Sequence, residues 1–362
     1  WIANRNEILR RISIRVSDEQ AGNVLLVPEL ISHDMERRLC AAAGDTASRY
    51  AEVLSFTRLT RRVSEYMQIG MEECLDNGGR VVAMAAAARQ MASKLKAYAA
   101  VETKPEFLTG LLDAVDEFKR CCISSADLRA ASESAEGTLA QKLQELSYLL
   151  EGYDALCSQG KRDPRDQLAW TLEQMELSDY GMGMTFFVEG FPDFTRQNMA
   201  ILEHLIRVGQ DVTVSLNCDE IDSHSMAFEK AGDTAAQLIR AAKNMGIPVS
   251  VEKIPGRNDV LSPVRKGLFQ GAIYPISTSV SACRADSAYQ ACEYIAQRIM
   301  ELTYEGCRYR DISIVCTDMA LYQPLLQMIL RRCRIPAYDA GTEEILQKSV
   351  IVTVLAALDA AL

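Results

Sequence analysis

The segment FFVEGFPDFT, residues 186–195, is the strongest indication of fold in this chain. It opens with apolar residues typical of a buried strand, reaches an acidic residue, and is then broken by a glycine and a proline. Apolar runs of the same kind occur at 23–28, 51–55, 211–216 and 248–254, and residues with helical spacing separate most of them. This alternation of strands and helices predicts an α/β domain built on a parallel sheet.

The same segment resembles the Walker B strand of nucleotide-driven motors. In those proteins the acid that ends the strand holds the Mg²⁺ of the nucleotide, and the next carboxylate positions the attacking water. Glu189 stands at the first of these positions and Asp193 at the last acid of a D-E-x-x-D pattern, but Gly190 stands at the second. Glycine can neither polarise water nor accept a proton, so we expect no hydrolysis here. A capping or solvated role for Glu189 is the alternative.

The composition is that of an ordinary globular protein of two or three domains, with 362 residues of which 48% are hydrophobic and 24% charged. No apolar run reaches the roughly 18 residues of a membrane span. The eleven cysteines form no CxxC pair and the three histidines lie far apart. These features predict a cytoplasmic protein with reduced thiols, no membrane span and no metal centre.

The net charge of −10 argues against nonspecific coating of nucleic acid, but the charge is unevenly distributed. Residues 1–65 hold ten arginines and nine acidic residues, a balance of +1, so the remaining residues carry −11. Arginine can grip a phosphate through two parallel hydrogen bonds, which makes this part of the chain a candidate phosphate-binding region. A solvated helix surface with scattered charge is the alternative.

Helical spacing dominates residues 65–165, where almost nothing alternates as a strand would. We therefore predict an all-helical insertion that divides the α/β domain into residues 1–64 and 166–276. Residues 277–362 form a third section, in which strands and helices alternate again. The strands expected in that section are 280–283 and 312–316.

Four segments resemble one protein family, in the same order along the chain. Residues 23–38, NVLLVPELISHDMERR, resemble a segment that reads LLVP-[DE]-Q and continues into a helix, and residues 53–63, VLSFTRLTRRV, resemble VxSFxRLxxRV. Residues 187–195 resemble x-[ID]-GFxxFT, and residues 288–340 resemble the opening of a second motor domain. The family is AddB/RexB, the B subunits of bacterial ATP-dependent helicase–nucleases, which belong to the superfamily-one helicases of the UvrD/RecB kind.

This resemblance implies a RecA-like P-loop helicase domain with an all-helical insertion, followed by the start of a second RecA-like domain. It implies an N-terminal fragment of a subunit that processes double-strand DNA ends for homologous recombination, together with an AddA/RexA-like partner subunit. The family uses ATP and Mg²⁺ and carries its nuclease and an iron–sulfur cluster in a C-terminal domain. We expect neither that domain nor a bound cofactor in this chain.

The resemblance also locates the positions that handle nucleotide in such motors, and all of them are altered. The Walker A loop should precede the first helix, but Asn4, Arg5 and Asn6 include no glycine and no lysine, and at best Arg5 or Asn4 stands at the lysine position. Residues 217–220 lack the expected glutamine, and Thr317 stands where an arginine should reach the nucleotide. We therefore expect no catalytic residue and a degenerate nucleotide site.

The DNA-facing segments of the resembling helicases are better preserved. Their hydroxyl groups and arginines suit phosphates, and Phe56 could stack on a base, although a core aromatic is the alternative. Family members usually carry glutamine where Leu30 stands and an aromatic residue near Arg61, so no sequence-specific reading of the strand is predicted. The residues expected to bind single-stranded DNA are Leu30, Ser32, His33, Ser55, Phe56, Thr57, Arg58, Arg61, Arg62, Phe191 and Phe194.

Three functions are open at this point. The leading hypothesis is a helicase-like subunit that holds single-stranded DNA while its partner hydrolyses ATP. The alternatives are an active ATP-dependent helicase and a degenerate helicase scaffold that docks the partner motor.

Overall fold

The computed structural model describes residues 2–70, 73–98, 105–218, 221, 226–256, 260–270, 280–339, 345 and 348–361. The chain divides into two compact units, Trp1–Tyr274 and Pro275–Leu362, each with its own hydrophobic core.

A parallel sheet of four strands, in the order β2-β1-β3-β4, forms the centre of the first unit. Neighbouring strands pair without offset, so that Leu26 lies opposite both Leu54 and Val188, and Val188 lies opposite Val214. The α/β architecture with a parallel sheet is therefore confirmed. The strands are β1 Asn23–Leu26, β2 Ala51–Leu54, β3 Thr185–Val188 and β4 Asp211–Val214.

Helices surround this sheet and form the segment between β2 and β3. In chain order they are α1 Ile2–Ser17, α2 Ser32–Ala43, α3 Ala47–Tyr50, α4 Phe56–Met67, α5 Asn77–Met91, α6 Pro105–Arg120, α7 Ser125–Ser134, α8 Gly137–Ser158, α9 Gln167–Glu176, α10 Arg196–Val208, α11 Glu229–Asn244 and α12 Ser262–Gln270. Short 3-10 turns occur at Glu29–Ile31, Ala92–Lys94 and Pro164–Asp166.

Strands β1 and β3 are buried along their whole length, which explains their mainly apolar sequences, whereas Asp211 of β4 is exposed and the rest of β4 is half-buried. Phe186 and Val188 of β3 pack into one core with apolar residues of α4, α9 and α10. Phe187 points to the other face, where it packs with residues of α1 and α2. Because successive side chains of a strand alternate between faces, Glu189 is expected on the α1 side of the sheet.

The segment between β2 and β3 contains α5 to α8, which share a separate core around Met84, Leu111, Leu149 and Tyr153. Within its described residues the segment is helical, apart from turns and one isolated bridge between Cys74 and Arg162. That bridge joins the points where the chain enters and leaves the helical segment.

A cluster of buried charges fixes the exit of this segment. Asp163 is fully buried and accepts a hydrogen bond from Tyr153 at 2.8 Å, while it pairs with Arg80 and Lys119, each at 3.3 Å. Burial acts to lower the pKa of Lys119, but the carboxylates of Asp166, Asp154 and Asp163 outweigh burial and raise it. The lysine therefore stays charged, and the stability of the fold depends on the carboxylates that pair with it.

We expect Asp163→Ala to lower the free energy of unfolding by about 3 kcal/mol, because Arg80 and Lys119 would each lose a buried counter-charge. Urea denaturation measures this change. Glu151→Ala is the matched control, since it removes the half-exposed partner of Arg129 and should cost less than about 1 kcal/mol. Equal losses in the two variants would contradict this account.

The second unit has a core formed mainly by two helices, α13 Ala288–Tyr304 and α14 Met319–Arg332, around Cys292, Ile299 and Ile329. A 3-10 turn, Tyr309–Asp311, lies between them, and α15 Ser349–Ala361 follows.

The strands predicted at 248–254, 280–283 and 312–316 are wrong, because these residues form no strand in the structure. Val251 is 60% exposed, Val280 50% and Val315 90%. An apolar run becomes a strand only where a neighbouring strand accepts its backbone hydrogen bonds, and none of the described residues does so here. The RecA-like character of residues 277–362 thus stays a prediction.

Candidate nucleotide and DNA site at the carboxyl edge of the sheet

Parallel strands in register end at one edge of the sheet, and the loops that follow them meet there. The order β2-β1-β3-β4 also places β1 and β3 side by side, although the chain runs from β1 to β2 on one side and returns to β3 on the other. Ligands of open α/β sheets bind beside such a reversal of strand order. Most of the site residues predicted from sequence follow β1, β2 or β3 and lie at this edge.

The first turn of α1 is tied to the ends of β3 and β4. Arg5 Nε lies 3.5 Å from Glu189 Oε1, and the side chains are 15% and 0% exposed. Asn4 Nδ2 donates to the carbonyl oxygen of Leu216 at 2.9 Å and lies 3.4 Å from Asn217 Oδ1. The structure thus brings together residues from three of the predicted nucleotide positions, and two of them, Arg5 and Glu189, neutralise each other.

Two other predicted nucleotide residues of the first unit take no part in this ion pair. Asn6 is exposed on α1, and Asp193 pairs with Lys230 of α11 at 3.3 Å. Thr317 is exposed and belongs to the second unit. The described residues do not fit a magnesium nucleotide, since the buried carboxylate faces an arginine and neither glycine nor lysine opens α1.

Gly190 occupies its position for a steric reason. Its φ is +88°, a backbone conformation that residues with a side chain rarely adopt. A Cβ at this position would lie 2.9 Å from Ile31 Cδ1 and 3.3 Å from Pro28 Cδ. The loop that follows β1 therefore fills the space that a glutamate side chain would need. The packing of this edge thus leaves no room for a carboxylate side chain at the second acidic position of the motif.

Two of the three hydroxyl groups predicted to bind DNA, those of Ser32 and Ser55, form hydrogen bonds within the fold. Ser55 caps α4 by accepting a hydrogen bond from the backbone N–H of Arg58 at 3.2 Å, and it donates to the carboxylate of Glu29. Ser32 donates to the carbonyl oxygen of Glu29 at 2.9 Å. Both serines are buried and serve the fold, and their role as phosphate contacts stays a prediction.

Phe56 is also buried, with 7% of its surface exposed. It packs edge-to-face on Phe191, with ring centroids 5.5 Å apart, and Phe191 lies 5.1 Å from Phe194. The ring therefore belongs to the core, in agreement with the alternative of a core aromatic, and its stacking on a base stays a prediction. Phe191 and Phe194 are partly buried against the same core.

Six of the residues predicted to bind DNA remain accessible. Leu30 is 99% exposed, and the side chain of His33 is 85% exposed. The others are Thr57, Arg58, Arg61 and Arg62 of α4.

Each of these accessible arginines is paired with a carboxylate. Arg58 Nη1 bonds Glu36 of α2, Arg61 Nε lies 3.0 Å from Glu65, and Arg62 Nε lies 3.0 Å from Glu52. The hydrogen bond to Glu36 raises the pKa of Arg58, and the charge of Glu52 raises the pKa of Arg62.

Sequence reasoning missed these carboxylates. The spacing of four residues between Arg61 and Glu65 on one helix could have revealed that pair. The contact of Arg58 with Glu36 could not be read in this way, because it joins α4 to a helix that follows a different strand.

The sequence of this chain matches a known protein family over most of its length. The family model described as ADDB, N-terminal, matches residues 4–263. The chain belongs to the AddB family. The resemblance of its motifs to AddB/RexB is therefore confirmed.

Curated relatives of this AddB-family chain are named as the B subunit of an ATP-dependent helicase/deoxyribonuclease. The protein of Thermoanaerobacter sp. (strain X514) is 28% identical over 95% of this chain and 31% of its own length. That of Clostridium perfringens (strain 13 / Type A) is 24% identical over 93% of this chain and 30% of its own. The protein of Caldanaerobacter subterraneus subsp. tengcongensis is 28% identical over 92% of this chain and 30% of its own length. The chain thus spans less than a third of the length of these relatives.

The described part of the AddB-family chain contains neither a membrane-spanning helix nor a cluster of metal ligands. None of the helices there has the length and apolar character needed to cross a bilayer. Within the same residues, no group of three or more histidine, cysteine or carboxylate side chains could hold a metal ion.

We expect Gly190→Ala to destabilise the protein more than Gly183→Ala, by about 1 kcal/mol or more. Both glycines have a positive φ, +88° and +73°, but a Cβ at Gly183 would meet nothing within 4 Å. Backbone strain is therefore common to both variants, and the difference isolates the contact with Ile31 and Pro28. Urea denaturation measures both, and equal losses would contradict the steric account.

Proposed function

We propose that this chain is a helicase-like part of a DNA helicase–nuclease subunit that binds single-stranded DNA without hydrolysing ATP. In this proposal it acts while double-strand breaks are processed for homologous recombination, and an AddA/RexA-like partner subunit hydrolyses the ATP. The observation that carries the proposal is the ion pair between Arg5 and Glu189 at the carboxyl edge of the sheet.

The ion pair argues against hydrolysis because it engages the groups that a nucleotide would need. A hydrolytic site keeps a cation for the phosphates and a carboxylate for Mg²⁺, whereas Arg5 and Glu189 face each other at 3.5 Å with little solvent access. Opening a buried pair leaves charges without partners and costs several kcal/mol. Gly190 removes the group that would position water.

The accessible surface of α4 and the loop after β1 support the DNA part of the proposal. Arg58, Arg61 and Arg62 can bind phosphates, and His33 and Leu30 lie exposed on the adjacent loop and helix. Their neighbouring carboxylates reduce the net positive charge, so we expect binding that is weak and sensitive to salt, at micromolar dissociation constants or above.

Two other functions compete with this proposal. An active ATP-dependent helicase is suggested by the name of the relatives. A scaffold that docks the partner motor is favoured by the pairing of Arg58, Arg61 and Arg62 with carboxylates. Co-purification with the partner subunit, combined with no DNA binding by the chain at low salt, would favour the scaffold.

We expect no ATP hydrolysis above background by the purified chain, with or without single-stranded DNA. The reason is the closed ion pair together with the glycine at the water-positioning site. A coupled assay of phosphate release measures it. Turnover stimulated by DNA would establish the active helicase instead.

We expect Arg58→Ala to weaken binding of a fluorescent oligothymidylate and to reduce the slope of log K against log salt by about 0.7, the value for one lost phosphate contact on a single strand. Fluorescence anisotropy between about 50 and 200 mM salt measures both quantities. Arg129→Ala is the matched control, because Arg129 is also half-exposed and pairs with a carboxylate of another helix. Identical losses in both variants would remove Arg58 from the DNA site.

A further inference from the structure

Glu36 of α2 lies between the two surface segments proposed to bind DNA. Its Oε1 accepts a hydrogen bond from Arg58 Nη1 of α4, and its Oε2 lies 3.6 Å from His33 Nδ1 on its own helix. One carboxylate therefore faces a residue of each segment. A carboxylate is anionic and planar, and it binds a guanidinium group with the same geometry as two phosphate oxygens.

We propose that Glu36 occupies the place of a DNA phosphate between His33 and Arg58, and that single-stranded DNA binds by displacing it. This inference rests on the proposed function and adds a residue that opposes binding. It makes Glu36 a determinant of affinity, since DNA gains a contact with Arg58 only when the internal pair opens.

The exposure of the pair makes such an exchange possible. Arg58 is 44% exposed and Glu36 38%, so solvent reaches both groups and screens their attraction. Ion pairs of this kind are weak, and a phosphate can compete for the arginine. The pair of Arg5 and Glu189 differs in this respect, since its carboxylate is fully buried.

The positions of neighbouring charges single out Glu36 among the nearby carboxylates. Glu65 pairs with arginines three and four residues away on its own helix. Glu29 accepts a hydrogen bond from the hydroxyl of Ser55, the residue that caps α4. Glu36, in contrast, joins α2 to α4 through Arg58. Opening the pair of Glu36 and Arg58 therefore leaves the capped end of α4 intact.

The test compares Glu36→Gln with the unchanged 362-residue chain in binding a fluorescent oligothymidylate. Glutamine keeps the size of the side chain but removes its charge, so Arg58 becomes available. We expect binding to tighten by about two- to fivefold at low salt, the range that weak exposed pairs allow. The slope of log K against log salt should stay unchanged, because Arg58 makes one phosphate contact in both proteins.

The variant Glu151→Gln controls for the change in net charge. It frees Arg129 from a half-exposed pair in the helical segment, at similar exposure to the pair of Arg58. An equal gain in affinity from Glu151→Gln would mean that any lost carboxylate strengthens binding, which overturns the role of Glu36.

The double variant Glu36→Gln/Arg58→Ala separates displacement from simple repulsion. If Glu36 acts through Arg58, the gain from Glu36→Gln vanishes once Arg58 is replaced. A gain of the same size in both backgrounds overturns the proposal. Loss of binding in Arg58→Ala without any gain in Glu36→Gln would leave the proposed function standing and refute this inference alone, whereas no binding by any variant at low salt would refute both.

Discussion

The pairing of β1 with two parallel neighbours is the constraint on which the first unit depends. Because β2 and β3 both pair with β1 without offset, the strand ends fall at a single edge. Helices cover both faces of the sheet, so this edge is where polar loop residues from distant parts of the sequence can meet. For this reason Arg5 contacts Glu189, which lies 184 positions further along the chain. Arg58, on the helix that follows β2, likewise contacts Glu36, on the helix that follows β1.

The charged side chains at this edge form ion pairs within the chain, and the free energy needed to separate a pair differs strongly between two of them. Separating the buried pair of Arg5 and Glu189 would cost several kcal/mol. Separating the half-exposed pair of Arg58 and Glu36 would cost about 0–1 kcal/mol. One part of the edge is therefore fixed, and the other can exchange its internal partner for an external anion. Arg5 and Glu189 belong to the fixed part, and Arg58 and Glu36 to the exchangeable part.

Much of the sheet could be predicted from sequence, because its strands are short apolar runs that end in turn residues. The same pattern failed at 312–316, where Val315 is 90% exposed, since apolar character does not reveal whether a neighbouring strand is present.

For the candidate site, the motif correctly drew attention to Arg5 and Glu189 but could not show that they contact each other. The packing of Phe56 on Phe191 could not be read from the motif, because Phe191 lies 135 residues further along the chain. Glu36 was missed because its contact with Arg58 depends on the order of the strands, and that order cannot be derived from local spacing.

The packing around Gly190 constrains the order in which mutations could place a carboxylate at this position. A glutamate introduced at this position alone would meet Ile31 and Pro28 and adopt a strained backbone, so it would lose stability before it gained any activity. A carboxylate at this position therefore requires at least two changes, and the change in the loop after β1 has to come first.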